Sequence, residues 1–164
     1  MITKEEANRR AKFFYEKLFE LKFPYTVELL CNDEIESFLE AYAKDNQIFK
    51  QYAGPTGGLF ICPEEGDGEE GDVCIIINTS NCIDPLIFNM TLIHELTHCA
   101  LWWQGYDYMD GQKDFENKLK ELKLSSNWDI TWTGPDKKVL KKEEDKEVML
   151  YYENLYQAHL QKEG

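Results

Sequence analysis

Two histidines and a glutamate form the most chemically informative pattern in the sequence. His94, Glu95 and His98 lie in the run HELTH, which is an HExxH motif. Residues four apart on a helix lie on one face about one turn apart, so both imidazoles can reach a single Zn²⁺. Glu95 lies one position round the helix, beside the metal, where it can accept a proton from a zinc-activated water. The motif predicts His94 and His98 as metal ligands and Glu95 as the catalytic general base.

The alternative interpretation is that both imidazoles are hydrogen-bonded inside a core helix that binds no metal. The chain has only three histidines, and two of them share this one face. Apolar neighbours such as Met90 and Leu96 place the helix in the interior, where two unpaired imidazoles would be costly. The pattern therefore favours the metal site.

The third metal ligand is less clearly marked in the sequence. A catalytic zinc usually has three protein ligands and one open position for water. The remaining histidine, His159, lies far along the chain in an amphipathic pattern that is typical of a surface residue. Closer candidates follow the motif helix, and they are the carboxylates of Asp107, Asp110, Asp114 and Glu116. The residues alone leave these candidates open.

The elements that must position these residues are helices and short strands. Apolar residues at intervals of three and four predict helices, and short apolar runs bounded by Gly or Pro predict strands. The predicted order is helix 3–21, strand 25–30, helix 32–52, a hairpin of strands 59–62 and 73–77 with an acidic tip, helix 86–103, a helix from about 110, a strand or crossover at 128–133, and helix 137–160.

This order predicts an α+β fold. We expect a single zincin-like domain over residues 1–164, in which a small antiparallel or mixed sheet of about three strands packs on the central HExxH helix. The other helices flank this core, and the last of them covers about residues 137–160.

Length and charge limit the classes of function. The 164 residues correspond to one domain, and the net charge of −13 disfavours direct nucleic-acid binding, which depends on Lys and Arg. No run of about 18 apolar residues exists, so no membrane span is expected. The charged N-terminal residues do not resemble a signal peptide, so we expect a cytoplasmic protein. The five scattered cysteines form no CxxC and are expected to be free thiols.

Several of these segments together resemble the SprT-like zinc metallopeptidases. The resemblance covers about residues 10–125 and includes the hairpin ending in IIIN, the helix TLIHELTHCALWWQG and the downstream DGQKDFENKLKEL. In that family the third ligand is a His in an H-G-x-x-F pattern at the start of the next helix. Phe115 matches the Phe, and one inserted residue aligns Asp110-Gly111 with His-Gly. The resemblance therefore implies Asp110 as third ligand and helix N-cap, with Asp114 in reserve.

The resemblance also implies an activity. It predicts a zinc endopeptidase that hydrolyses peptide bonds of a polypeptide substrate, in a cleft between the zinc helix and the hairpin strand. Some members act on DNA-bound proteins through a C-terminal zinc ribbon or basic region, and the cysteines of such a ribbon are missing here. The chain therefore resembles compact bacterial or phage-derived members that have no DNA-binding tail.

Two alternatives remain open from the sequence. One is a regulatory metallopeptidase that cleaves a repressor, in which Glu116 or Glu121 supplies the third ligand. The other is a catalytically inactive metal-binding or interaction protein, whose acidic surface serves a basic partner.

Overall fold

The described part of the chain forms helices interspersed with short strands. The computed structural model describes residues 2–45, 57–62, 73–80, 82, 84–124, 130–133, 137–140 and 143–163. The elements within these residues are α1 (Lys4–Phe19), β1 (Thr26–Leu30), α2 (Asn32–Asp45), β2 (Gly58–Ile61), β3 (Cys74–Asn78), α3 (Pro85–Gln104), α4 (Lys113–Glu121), β4 (Ile130–Thr133), β5 (Lys137–Leu140) and α5 (Glu143–Glu163).

A three-stranded mixed sheet lies at the centre, in the order β1-β3-β2. β1 runs parallel to β3, and β2 runs antiparallel to it, with Phe60 opposite Ile75. The β2–β3 pairing confirms the predicted hairpin, while its acidic tip at 63–72 lies outside the described residues. The mixed sheet with its surrounding helices confirms the α+β fold class.

Both faces of the sheet are covered by helices, which explains why β3 is apolar at successive positions. Ile75 and Ile77 belong to the main core with α1 and α3, whereas Ile76 packs with Leu59, Ile61 and Ile35 in a second cluster towards α2. Side chains alternate between the two faces of a strand. Residues 58 and 60 of β2 therefore face α3.

The central helix α3 is buried on almost all sides, because 14 of its 20 residues are buried. It packs against α1, α4, α5, β2 and β3. The Asp84 carboxylate accepts a hydrogen bond from the Leu86 amide at 2.7 Å, and Pro85 occupies the first helical position. Gly105 ends the helix in the left-handed conformation, with φ 83°. The predicted position of this helix is confirmed.

The C-terminal helix begins later than predicted. The expected helix from about residue 137 is wrong at its start, because Lys137–Leu140 forms β5 and α5 begins at Glu143. β5 pairs antiparallel with β4, with Val139 opposite Thr131. Backbone pairing with β4 outweighs the helical preference of the lysine-rich segment, since tertiary context overrides local propensity. β4 confirms a strand at residues 130–133 of the segment predicted as a strand or crossover, while residues 128 and 129 lie outside the described residues.

A buried polar cluster joins α1, α3 and α5. Arg10 donates hydrogen bonds to Asn89 Oδ1 at 2.9 Å and to Glu153 Oε1 at 3.1 Å. Asn89 also donates to Glu153 Oε2 at 2.6 Å, and the Arg10 guanidinium lies 4.5 Å from the centre of the Tyr156 ring. The charge of Arg10 is thus compensated within the interior, as a buried ion must be.

Two further predictions concern the whole chain. All five cysteines are free thiols, as expected. Among the described helices, none combines the length and the apolar character that a bilayer crossing requires.

Candidate metal centre

His94 and His98 lie one helical turn apart on α3, as the HExxH spacing predicts. Their ring centres are 4.9 Å apart, and the ring planes meet at 78°. One ligand atom from each of His94, Glu95 and His98 lies within 4.8 Å of the others. The two imidazole side chains are 17% and 10% exposed, so they lie at the edge of the core where an ion could reach them.

Asp110 meets both histidines through one carboxylate oxygen. Asp110 Oδ1 lies 3.2 Å from His94 Nε2 and 3.4 Å from His98 Nε2. These contacts hold the pKa of Asp110 well below its usual range, chiefly through the hydrogen bonds with His94 and then His98. Of the carboxylates considered as third ligand, the structure brings this one to the histidines.

The predicted N-cap role of Asp110 is wrong. α4 begins at Lys113, and the N-cap position is occupied by Gln112. Gly111, which lies between Asp110 and the N-cap residue, adopts φ 83°. Glycine reaches this left-handed conformation without strain. This turn places Asp110 ahead of the helix, and its carboxylate is directed to His94 and His98 instead of to helix amides.

The orientation of His98 is fixed by its surroundings. Its Nδ1 donates a hydrogen bond to the Tyr108 carbonyl oxygen, which can only accept. The imidazole stacks on Phe115 with a centroid distance of 4.1 Å, and Phe60 lies parallel to it at 6.4 Å. With Nδ1 engaged, Nε2 is the nitrogen that faces Asp110, and it is the one left to bind a metal ion.

The two separations between Asp110 and the imidazoles are compatible with a tetrahedral zinc ion. At zinc–ligand distances of about 2.0–2.1 Å, neighbouring ligand atoms of a tetrahedron lie about 3.3–3.4 Å apart. The two separations from Asp110 Oδ1, 3.2 and 3.4 Å, are close to this value. A metal-binding His typically donates its other ring N–H to a carbonyl or carboxylate, as His98 does with Tyr108. Two imidazoles and one carboxylate also form a known type of catalytic zinc site.

Glu95 is buried beside the two histidines, with 6% of the residue exposed. Burial raises the pKa of its carboxyl group, although the charges of His98 and His94 oppose the shift. A carboxylate with a raised pKa binds a proton more readily near neutral pH, which suits a general base. The structure therefore places Glu95 where the sequence predicts it, next to the candidate metal ligands.

Gly58 of β2 lies directly against α3 at this point. A Cβ atom on Gly58 would lie 2.8 Å from Thr91 Cγ2, 3.1 Å from the Ile76 carbonyl oxygen and 3.2 Å from Glu95 Cγ. Only glycine allows this approach. The sequence marks Gly58 as part of a turn cluster, and nothing in the sequence signals its contact with Glu95.

The other carboxylates considered as ligands have different partners. Asp114 Oδ2 accepts a hydrogen bond from the Asp107 amide at 3.1 Å. Glu116 Oε1 accepts one from the Gly111 amide at 3.0 Å. Both side chains thus contact the backbone of the loop that carries Asp110, and neither has a contact with the histidines among the interactions of the described residues.

His159 and Glu121 lie away from the centre. His159 packs against the Phe13 ring at 4.7 Å, and its Nε2 lies 3.1 Å from Glu163 Oε1. Glu121 is exposed and pairs with Lys118 at 3.2 Å. His159 is therefore a surface residue of α5, as its sequence context suggests.

Four side chains and a backbone carbonyl thus lie together beside the middle of α3. The sequence marks His94, Glu95, His98 and Asp110, whereas the Tyr108 carbonyl belongs to the backbone and has no residue-type signal. Comparisons with protein-family models, with curated proteins and with solved structures gave no match for this chain. The SprT-like resemblance stays a prediction.

Proposed function

We propose that this protein is a zinc-dependent metallopeptidase that hydrolyses peptide bonds of a polypeptide substrate. The observation that carries the proposal is the convergence of His94 Nε2 and His98 Nε2 on Asp110 Oδ1, at 3.2 and 3.4 Å, beside the buried Glu95. Such a set of three ligands and a free neighbouring carboxylate on HExxH is the arrangement used in metalloprotease chemistry.

His94, His98 and Asp110 would hold the zinc ion. When bound, zinc polarises the substrate carbonyl and makes a water molecule acidic enough to react near neutral pH. The Asp110 side chain is 71% exposed, so the centre is open to solvent and substrate on this side. The Tyr108 carbonyl and the stacked Phe115 ring keep His98 in the orientation and tautomer that a ligand requires.

Glu95 would move the proton. Its carboxylate accepts a proton from the attacking water and then delivers that proton to the leaving amine nitrogen. Burial favours proton uptake by this group, and its position next to two imidazoles keeps it close to the reacting atoms. The role requires a carboxylate that is not itself a metal ligand.

The substrate would lie along β2 as an extended strand. β2 occupies one edge of the three-stranded sheet, and its Gly58 is in contact with α3 beside Glu95. Strand addition at a sheet edge is a common mode of peptide recognition. A peptide in this position would pass close to Glu95.

The decisive experiment compares zinc content and proteolysis in three proteins. We expect the wild type to bind one zinc per chain and to cleave unfolded casein. Glu95→Gln should retain zinc and lose cleavage by at least about 100-fold, because general base catalysis contributes about 10²–10⁴-fold. His98→Ala should lose both zinc and activity.

Each other outcome would contradict a specific part of the proposal. Cleavage that persists in Glu95→Gln would exclude Glu95 as the base. Zinc bound by a wild type that cleaves nothing would favour the metal-binding interaction protein. Loss of zinc in Glu116→Ala, with zinc retained in Asp110→Ala, would favour the repressor-cleaving type with a Glu ligand.

A further inference from the structure

The segment between α3 and α4, residues 106–112, is here named the ligand loop because it carries Asp110. Three of its amides donate hydrogen bonds to side chains at the start of α4: Asp107 to Asp114 Oδ2 at 3.1 Å, Met109 to Gln112 Oε1 at 2.9 Å, and Gly111 to Glu116 Oε1 at 3.0 Å. The loop is thus held by its N-cap residue Gln112 and by two carboxylates of the first turn of α4.

The intervening residues of the ligand loop contact α3 instead. The Tyr108 carbonyl accepts the hydrogen bond of His98 Nδ1, and the Asp110 carboxylate lies at His94 Nε2 and His98 Nε2. Contacts therefore alternate along the loop: the amides of residues 107 and 111 bind side chains of α4, the amide of residue 109 binds the N-cap side chain, and residues 108 and 110 meet the histidines. Because the two kinds of residue alternate, the hydrogen bonds of the amides of residues 107, 109 and 111 determine where Tyr108 and Asp110 lie.

We propose that Gln112, Asp114 and Glu116 are positioning residues that hold the ligand loop so that Asp110 and the Tyr108 carbonyl meet the two histidines. The proposal deepens the proposed function and rests on it, because it takes Asp110 as a metal ligand. It assigns Asp114 and Glu116 a role as hydrogen-bond acceptors, in place of the ligand roles that the sequence leaves open. Outer-shell groups of this kind typically change metal affinity by about 10–100-fold.

The acceptor role can be separated from a ligand role by the choice of substitution. Asp114→Asn and Glu116→Gln keep a carbonyl oxygen that can accept the loop amide, but they remove the charge that a carboxylate ligand supplies. Asp114→Ala and Glu116→Ala remove the acceptor. Asp107→Ala is the matched control, because Asp107 is exposed in the same loop and keeps its donating amide after substitution.

Zinc affinity is measured on the full chain by competition with a chromophoric chelator. We expect about a 10-fold loss for each alanine variant, less than a 3-fold change for the Asn and Gln variants, and no change for Asp107→Ala. Equal losses in Glu116→Ala and Glu116→Gln would overturn the proposal in favour of direct ligation. Wild-type affinity in both alanine variants would overturn it as well.

Amide exchange in the zinc-free protein gives a second test that does not depend on the metal. Asp114→Ala should accelerate exchange of the Asp107 amide, and Glu116→Ala should accelerate that of Gly111, each by about 10-fold, without changing the buried amides of α3. Unchanged exchange at these amides would overturn the positioning role. Absence of zinc binding by the wild type, with the exchange effects present, would instead reject the proposed function and leave the loop contacts established.

Discussion

The ring of Phe115 lies parallel to the imidazole of His98, with centroids 4.1 Å apart and planes 8° apart. Phe115 is fully buried, and it also meets the His94 ring edge-on at 5.2 Å. One apolar side chain of α4 therefore contacts both candidate metal ligands. This contact ties the packing of α4 on α3 to the orientation of the imidazoles.

Replacement of the Phe115 ring should weaken metal binding, whereas an equally destabilising substitution elsewhere in the core should not. We expect Phe115→Leu to destabilise the fold by about 1–2 kcal/mol and to lower zinc affinity by about 10-fold, because the His98 ring loses its support. Phe14→Leu is the matched control, since Phe14 is equally buried but contacts Tyr152 and Tyr156 at 6.2 Å instead. Urea denaturation and chelator competition measure the two effects, and equal zinc affinity in both variants would contradict the prediction.

Zinc binding should tolerate replacement of Asp110 by a residue that can ligate a metal, but not by one that cannot. Asp110→Ala should lower zinc affinity by more than about 100-fold, because loss of a direct ligand exceeds the usual outer-shell effect. Asp110→His restores a nitrogen donor at the position where the SprT-like pattern has one, and we expect it to retain zinc. Zinc titration of both variants checks this, and an unchanged affinity in Asp110→Ala would show that the third ligand lies elsewhere.

Gly58 should not tolerate a side chain. Gly58→Ala places a Cβ 2.8 Å from Thr91 Cγ2, so we expect a loss of about 1–3 kcal/mol in the free energy of unfolding. The added Thr91→Ser removes this Cγ2 atom and should recover part of the loss, whereas Thr91→Ser alone serves as the control. Thermal and urea unfolding of the three variants measure the effect. No recovery in the double variant would show that the dominant clash is with the Ile76 carbonyl or with Glu95 Cγ and not with Thr91.

The buried cluster of Arg10 and Glu153 should make stability depend on pH. Burial raises the pKa of Glu153, but hydrogen bonds from Arg10, Gln157 and Asn89 outweigh it, and the pKa lies below its usual value. The stabilisation is therefore complete above the unfolded-state pKa of about 4.3, and it is lost as pH falls through the lower folded-state value.

Substitution of Glu153 tests this dependence. We expect Glu153→Gln to lower the free energy of unfolding by about 2 kcal/mol at pH 7. This loss is smaller than that for a fully buried ion pair, because the Glu153 side chain is partly exposed. The difference from wild type should shrink steadily below about pH 4. Glu163→Gln, at the exposed end of the same helix, is the control. A difference that stays constant down to pH 3 would contradict the assignment.

Removal of zinc should lower stability without unfolding the protein. The core and the ligand loop are held by protein contacts, so we expect the chelated protein to keep its far-ultraviolet circular dichroism at 25 °C. Its Tm should nevertheless fall, because zinc at 100 times its Kd contributes about 2.7 kcal/mol. His98→Ala should show no change on chelation. A wild-type Tm that does not change when the chelator is added would contradict metal binding.

Much of the fold was predictable because its signals are local. The all-apolar pattern and the Asp84-Pro85 start predict α3, and the HExxH spacing predicts that His94 and His98 share a face. The hairpin follows from two apolar runs separated by an acidic segment. These features depend on residues close to each other in the chain, which is where sequence patterns are informative.

The remaining features depend on contacts between distant segments. The start of α5 was misplaced because β5 is defined by its pairing with β4 and not by its own residues. The role of the Tyr108 carbonyl arises from how the ligand loop folds back on α3. The proximity of Asp110 to the histidines was expected from the family resemblance, whereas its place ahead of α4 depends on the turn at Gly111.

The antiparallel alignment of β2 with β3 has a consequence for how the hairpin can vary. Gly58 and Phe60 face α3, where they meet Glu95 and His98, while Leu59 faces the other side of the sheet. A slip of one residue would bring Leu59 to the Glu95 side and rotate Phe60 away from His98. An insertion within β2 therefore preserves the contacts with Glu95 and His98 only when it leaves Gly58 and Phe60 on the α3 side of the sheet.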